Sequence, residues 1–122
     1  MARLNAAELA GFYADYVDAW NGRDLERYYS FYAADLVFRD GATLLHGIDA
    51  LRARYDAELR DYPDLMMECA RLLVDVESQA IAAENVERGT GIELRGALFL
   101  TLGPDGRIAE IAEYLTGGNA DR

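Results

Sequence analysis

The sequence predicts an α+β fold, with N-terminal helices lying on one face of a curved antiparallel sheet. Three observations lead there. Apolar residues recur at helical spacing before Pro63. After Pro63 the pattern changes to long strand-like runs separated by turn signals. No linker, repeat or low-complexity stretch divides the 122 residues, so one domain spans 1–116 and 117–122 reads as a frayed tail.

Each element has its own signal. Leu9, Phe12, Tyr13, Tyr16, Val17 and Trp20 form one stripe of an amphipathic helix. Asn5 followed by Glu8 resembles a capping box, and Asn21-Gly22 ends the helix. Asp24 can cap a second helix that buries Leu25, Tyr28, Tyr29 and Tyr32. "LVFRD" and "TLLH" read as two short strands around a turn at Gly41. After Gly47 a third helix carries Ile48, Leu51, Tyr55 and Leu59, and Pro63 stops it. Four long strands follow: "LMMECARLLVDV", "QAIAAENVERG", "IELRGALFLTL" and "RIAEIAEYLT". "VES" and "GPDG" are turn signals among them. A sheet bent over helices can hold a cavity open at one end.

Composition narrows the function. The formal charge is −10, which argues against nucleic acid and anionic membrane surfaces as partners. All 12 basic residues are arginines, so Schiff-base chemistry on lysine is excluded. The single cysteine, Cys69, cannot form an internal disulfide, and no apolar run resembles a signal peptide or a membrane span. A cytoplasmic protein is expected. One histidine, His46, and one cysteine leave too few ligands for a transition-metal site, and no calcium-loop spacing is present. Neither "GTG" nor "TGGN" lies on a strand-to-helix turn, so no phosphate cradle or other cofactor is expected. What remains is acid–base chemistry by carboxylates and phenols.

Three stretches carry a resemblance: "YVDAWNGRDL" in the first helix and its exit, "FYAADLVFRD" entering the first strand, and "HGIDALRARY" in the third helix. Residues 16–55 resemble the ketosteroid isomerase branch of the NTF2-like superfamily, which also holds the SnoaL-like polyketide cyclases. "DGRIAEIAEYL" is similar to the last strand of that family. The resemblance implies a cone-shaped fold, a bent sheet wrapped around helices with an apolar pocket. By position it places Asp40 on the general base and Tyr16 on the phenol that donates to a developing oxyanion. Tyr32 and Tyr55 fall on two supporting phenols. Trp20, Phe38, Asn85, Leu98, Leu100 and Glu113 are the expected pocket residues. From the residues alone, Asp40 also fits a solvated strand end, and the tyrosines also fit a packed core.

One position departs from the pattern. The isomerases carry a second oxyanion donor, a protonated aspartic acid, where this chain has Leu98. Losing such a donor costs about a hundred- to a thousandfold in rate. Asn85 or a protonated Glu113 could replace it. The expected function is therefore a cofactor-independent isomerase acting on a small apolar carbonyl compound, steroid- or polyketide-like. A SnoaL-like cyclase, an epoxide-opening enzyme and a catalytically silent binding module are the alternatives. A module of that last kind could hold Asp40 in a static salt bridge with Arg39, or with Arg54 of a partner subunit. Ala97, Phe99 and Thr101 alternate with Leu98, Leu100 and Leu102, so both faces of that strand are partly apolar and a homodimer is expected.

Overall fold

The computed structural model describes residues 3–119. Helix α1 (Ala6–Asn21) starts on the expected capping box, in which the Asn5 side chain accepts from Glu8 N and Glu8 accepts from Asn5 N. Its stripe buries Leu9, Tyr13, Tyr16 and Trp20. Helix α2 (Leu25–Ser30), capped by Asp24, is only six residues long. It ends before Tyr32, which instead opens strand β1 (Tyr32–Asp40). That strand begins four residues before "LVFRD". The backbone N–H of Ile108 donates to Phe31 O just ahead of it, so the chain is already docked against the last strand.

Strand β2 (Thr43–His46) returns beside β1, and α3 (Ile48–Asp61) follows Gly47. Strands β3 (Met66–Asp75), β4 (Ala80–Gly89), β5 (Ile92–Leu102) and β6 (Ile108–Asn119) form a meander. β6 runs three residues into the segment read as a frayed tail, because Glu93 and Ile92 of β5 pair with Gly118 and Asn119. Residues 120–122 lie outside the described residues.

The six strands make one unclosed sheet in the order β2-β1-β6-β5-β4-β3. Every neighbouring pair is antiparallel except β1 and β6, which run parallel. Irregularities in register interrupt three of the pairs, between Cys69 and Arg71, between Thr101 and Leu102, and along β1 after Tyr32. Such bulges bend a strand and raise its twist. At Gly96 the sheet closes up further: a Cβ there would lie 1.8 Å from the Tyr114 carbonyl oxygen, so only glycine fits.

Helix α1 packs across β3 and β4, α3 across β1 and β2, and α2 bridges α1 and β1. The core lies between them and the concave face. Leu9, Leu36, Phe38, Leu51, Leu65, Leu100 and Ile108 are fully buried there. Each such side chain contributes about 1.5–3 kcal/mol by leaving water.

Candidate active site

Period-two alternation sends one set of each strand's residues into the concave face. Register then sets a row across it: Asp40 of β1 pairs with Glu113 of β6, and Glu113 with Leu98 of β5. Asp40, Glu113 and Leu98 are therefore neighbours on one face. Helices α1, α2 and α3 cover this row with tyrosines. The result is a shallow, partly open cleft that admits little more than one water-sized group. The helices supply Tyr16, Trp20, Tyr28, Tyr55 and Glu58 to it. The sheet supplies Met67, Glu87, Leu98 and Glu113.

Tyr16, the expected oxyanion donor, is buried in a triangle of phenols. Its Oη lies 2.5 Å from Tyr32 Oη and 2.8 Å from Tyr28 Oη, and those two are 2.9 Å apart. Three hydroxyls can satisfy one another around such a ring, each donating once. Redirecting the Tyr16 proton to a ligand would cost only one of the three bonds, because Tyr28 and Tyr32 can both still donate to Tyr16. Burial, above all, raises the pKa of Tyr16, Tyr28 and Tyr32 above the usual phenol range, so all three hold their protons at neutral pH.

Tyr55 stands beside Tyr32, with which it shares a side-chain hydrogen bond, and also reaches the sheet. Its hydroxyl donates to Glu113 Oε1 at 2.6 Å, because α3 carries it toward β6. Tyr28 completes the triangle with Tyr16 and Tyr32. Glu113 is 9% exposed. Burial pushes its carboxyl up to about 7, against the hydrogen bond from Tyr55, which pulls it down. Nearby Glu58 and Asp40 add to the rise, and the Arg54 guanidinium opposes it. Glu113 is thus a carboxyl that exchanges its proton near neutrality, the property a general acid–base needs.

Asp40 lies on the same face but at its rim, where it does not line the cleft. It forms an ion pair with Arg54 of α3 in the same chain, and the two side chains are 35% and 33% exposed. Arg54 also stands over the Phe38 ring at 4.9 Å, and its Nε is buried without a partner. Phe38 is buried beneath that guanidinium, edge-on to Tyr55, and Leu100 lies in the core. Neither lines the cleft. Asn85 is fully buried next to α1, where its Nδ2 donates to Tyr13 Oη at 2.6 Å and its Oδ1 has no partner. His46 is exposed at the end of β2.

Four cleft residues escaped the sequence reading: Tyr28, Glu58, Met67 and Glu87. Glu87 follows Asn85 by two on β4, so strand alternation already aimed it inward. Glu58 follows Tyr55 by three on α3 and so shares its face. Tyr28 carried only a core signal. Glu87 is 5% exposed, and burial followed by the charges of Glu113 and Glu58 pushes it up to about 8. Glu58 is raised as well, chiefly by burial, with Arg54 opposing.

Among the described residues no helix is long and apolar enough to cross a membrane. A comparison with curated proteins finds no match. Solved structures do match. A SnoaL-like protein of unknown function from Burkholderia thailandensis is 23% identical with a TM-score of 0.80, covering 95% of this chain and 100% of its own. A candidate ketosteroid isomerase from Kribbella flavida is 22% identical with a TM-score of 0.72, covering 88% of this chain and 77% of its own. IdmH, a candidate polyketide cyclase from Streptomyces antibioticus, is 18% identical with a TM-score of 0.77, covering 88% and 91%. At such identities these neighbours speak for the fold alone. The sequence model of the SnoaL-like domain matches residues 13–111. The chain therefore belongs to the SnoaL-like domain family.

Proposed function

We propose that the protein is a cofactor-independent proton-transfer enzyme, an isomerase or cyclase, acting on a small carbonyl compound with an apolar body. The observation that carries this reading is Glu113: a buried carboxyl titrating near 7, held by Tyr55 in a cleft lined by phenols. In the proposed reaction Asp40 takes the proton from carbon, Tyr16 donates a hydrogen bond to the developing oxyanion, and Tyr28 and Tyr32 support Tyr16. Glu113, in its protonated form, supplies the second donor that Leu98 cannot. Its register position beside Leu98 supports that assignment. Arg54 must then release Asp40, or share it, when substrate arrives.

The Asp40–Arg54 pair favours a second reading, a binding module whose rim carboxylate serves only an ion pair. One assay separates the two. Deuterium uptake at the α-carbon of 4-phenyl-2-butanone is measured for wild type, Asp40→Asn and Glu113→Gln. The enzyme reading expects exchange by wild type, a loss of about a thousandfold in Asp40→Asn and about a hundredfold in Glu113→Gln. No exchange by wild type, or full exchange by Asp40→Asn, leaves the binding module.

We also infer that a second copy covers the convex face of the sheet. Phe99 and Tyr114 are exposed there and meet edge-to-face at 5.8 Å, with Leu73 exposed on the same face. Such a patch is self-complementary across a twofold axis. Sedimentation is expected to give a dimer at micromolar concentration and a monomer for Phe99→Asp; a monomeric wild type sinks the inference. Cys69 is an exposed free thiol, which suits a reducing, cytoplasmic site of action.

A further inference from the structure

The cleft is smaller than the reaction assigned to it. It admits about one water-sized group, and around it Tyr16, Trp20, Tyr28, Tyr55, Met67 and Leu98 are at most 7% exposed. A carbonyl compound with an apolar body therefore needs one wall to move.

The walls are not equally anchored. The sheet is hydrogen-bonded strand to strand. Helix α1 buries five side chains, and its Trp20 and Asn21 bond to the backbone of Leu65 and Met67. Helix α3 is nearly as long, 14 residues against 16, yet its buried residues are Leu51 and Tyr55 alone. Among the described residues, two of its side chains make its polar ties to the sheet. Arg54 pairs with Asp40, and Tyr55 bonds to Glu113 and Tyr32. Both ends of α3 suit a hinge. Gly47, its N-cap, lies at φ 88° and gives it no side-chain bond. At the other end the turn from Tyr62 to Leu65 is held in place by Arg23 on Pro63 O and Trp20 on Leu65 O.

What α3 covers favours its release. Its Glu58 shares the cleft with Glu87 of β4 and Glu113 of β6, with Asp40 of β1 and Arg54 of α3 at the rim. The phenols there are Tyr16 of α1, Tyr28 of α2 and Tyr55 itself, while β3 and β5 bring the neutral Met67 and Leu98. β2 adds no charge, since Leu45 is the residue opposite Phe38. Burial is the largest influence on all three acids and raises them, Glu113 to about 7 and Glu87 to about 8. It outweighs Arg54, which pulls Glu58 and Glu113 down, and Tyr55, which pulls Glu113 down. An acid raised by burial binds its proton more tightly in the docked form than in one that lets water reach it. Rising pH therefore shifts the balance toward the hydrated form.

We propose that α3 is the lid of the cleft, swinging out between Gly47 and the Tyr62–Leu65 turn and latched by Arg54 on Asp40 and Tyr55 on Glu113. Outward movement makes room for a ligand beside Met67 and Leu98, hydrates the three acids, and frees Asp40 from Arg54 in the same motion. This deepens the reading of the cleft as the ligand site, on which it rests.

Amide hydrogen exchange of the full chain, read peptide by peptide and corrected for intrinsic rates, tests the lid. The amides of α3 should exchange at least about tenfold faster than those of α1 at both pH 6 and pH 8.5, by an opening short of unfolding. Their own rate should rise about tenfold between those pH values. Arg54→Met removes one latch and should speed α3 about fivefold. Glu87→Gln should flatten the rise with pH, and Glu58→Gln carries the same expectation should Glu87→Gln melt early. Glu110→Gln removes an acid from an exposed position of β6 and should keep the rise. An α3 as protected as α1, a rate that does not rise, no effect of Arg54→Met, or a rise that survives in both cleft variants overturns the proposal. Ketone exchange in the deuterium assay with α3 as protected as α1 removes the lid and leaves the enzyme reading standing. An opening α3 without ketone exchange does the reverse.

Discussion

Asp40 and Glu113 are register neighbours on one face of the sheet, yet their surroundings differ in every respect that matters to a proton. The rim acid is about one-third exposed and has a guanidinium against it. The inner acid is 9% exposed and has a phenol against it. A full positive charge can balance a carboxylate, whereas a phenol can only donate to it while burial works the other way. Two adjacent strands thus carry one acid in an ion pair at the rim and one buried acid suited to holding its proton near neutrality. Splitting the roles of two carboxyls by environment is how acid–base pairs are made.

The sharpest way to break this contrast is a pH profile of exchange. If Glu113 acts in its protonated form, turnover falls as pH rises through about 7, by about tenfold for each further unit. Tyr55→Phe removes a bond that favours the charged form of Glu113, so the falling limb moves to higher pH. An unmoved limb in that variant means Glu113 is not the titrating group.

Stability gives the next largest effect. Glu113 and Glu87 keep their protons in the folded protein up to about 7 and about 8, against an ordinary value of 4.5. Folding therefore raises both values, and the stability linked to those protons is fully present below about pH 4.5 and lost as pH rises through 7 to 8. At about 1.4 kcal/mol per unit, screened and shared between coupled groups, the loss is a few kcal/mol. The melting temperature should fall by roughly 10 °C between pH 5.5 and pH 8.5. Glu87→Gln should flatten that fall and raise the melting temperature at the upper end. A flat profile in wild type contradicts the burial of both acids.

Arg54→Met should do least. It breaks a part-exposed ion pair and the guanidinium's contact with Phe38, together worth about 1 kcal/mol. It should also move the limb of Glu113 slightly upward, since Arg54 favours the charged form. A loss of several kcal/mol in a denaturant titration would show that the rim pair is a structural element, and would favour the binding-module reading.

Local patterns explain what could be read in advance. The capping box of α1, its buried stripe, the end of α3 near Pro63 and the inward set on β5 follow from spacing alone. Tyr16, Trp20, Tyr55, Leu98 and Glu113, which the family resemblance singled out, line the cleft. The partners were not legible. Whether Tyr55 reaches Tyr16 or Glu113 depends on how α3 leans across β6, a distance of 58 residues in sequence. The pairing of Asp40 with Arg54 likewise needs α3 docked on β1. Tyr32 was read as helical because the tyrosines at 28, 29 and 32 share helical spacing, but docking to Ile108 drew it into the sheet. Glu87 was the avoidable omission: the rule that turned Asn85 inward applied two residues later.

The strand that carries Glu113 is the last element among the described residues, and it lies in the middle of the sheet, between β1 and β5. Asp40 and Glu113 thus come from early and late in the chain and meet only through the parallel β1–β6 pair. A chain still emerging from the ribosome, complete as far as β5, has helices and hairpins but two unpaired strand edges facing each other across a gap. Long-range pairing of that kind is slow, and open edges invite other chains. During synthesis the acidic cleft therefore cannot exist before β6 is in place: the step that brings its two carboxyls together is the step that pairs the inner edges of β1 and β5.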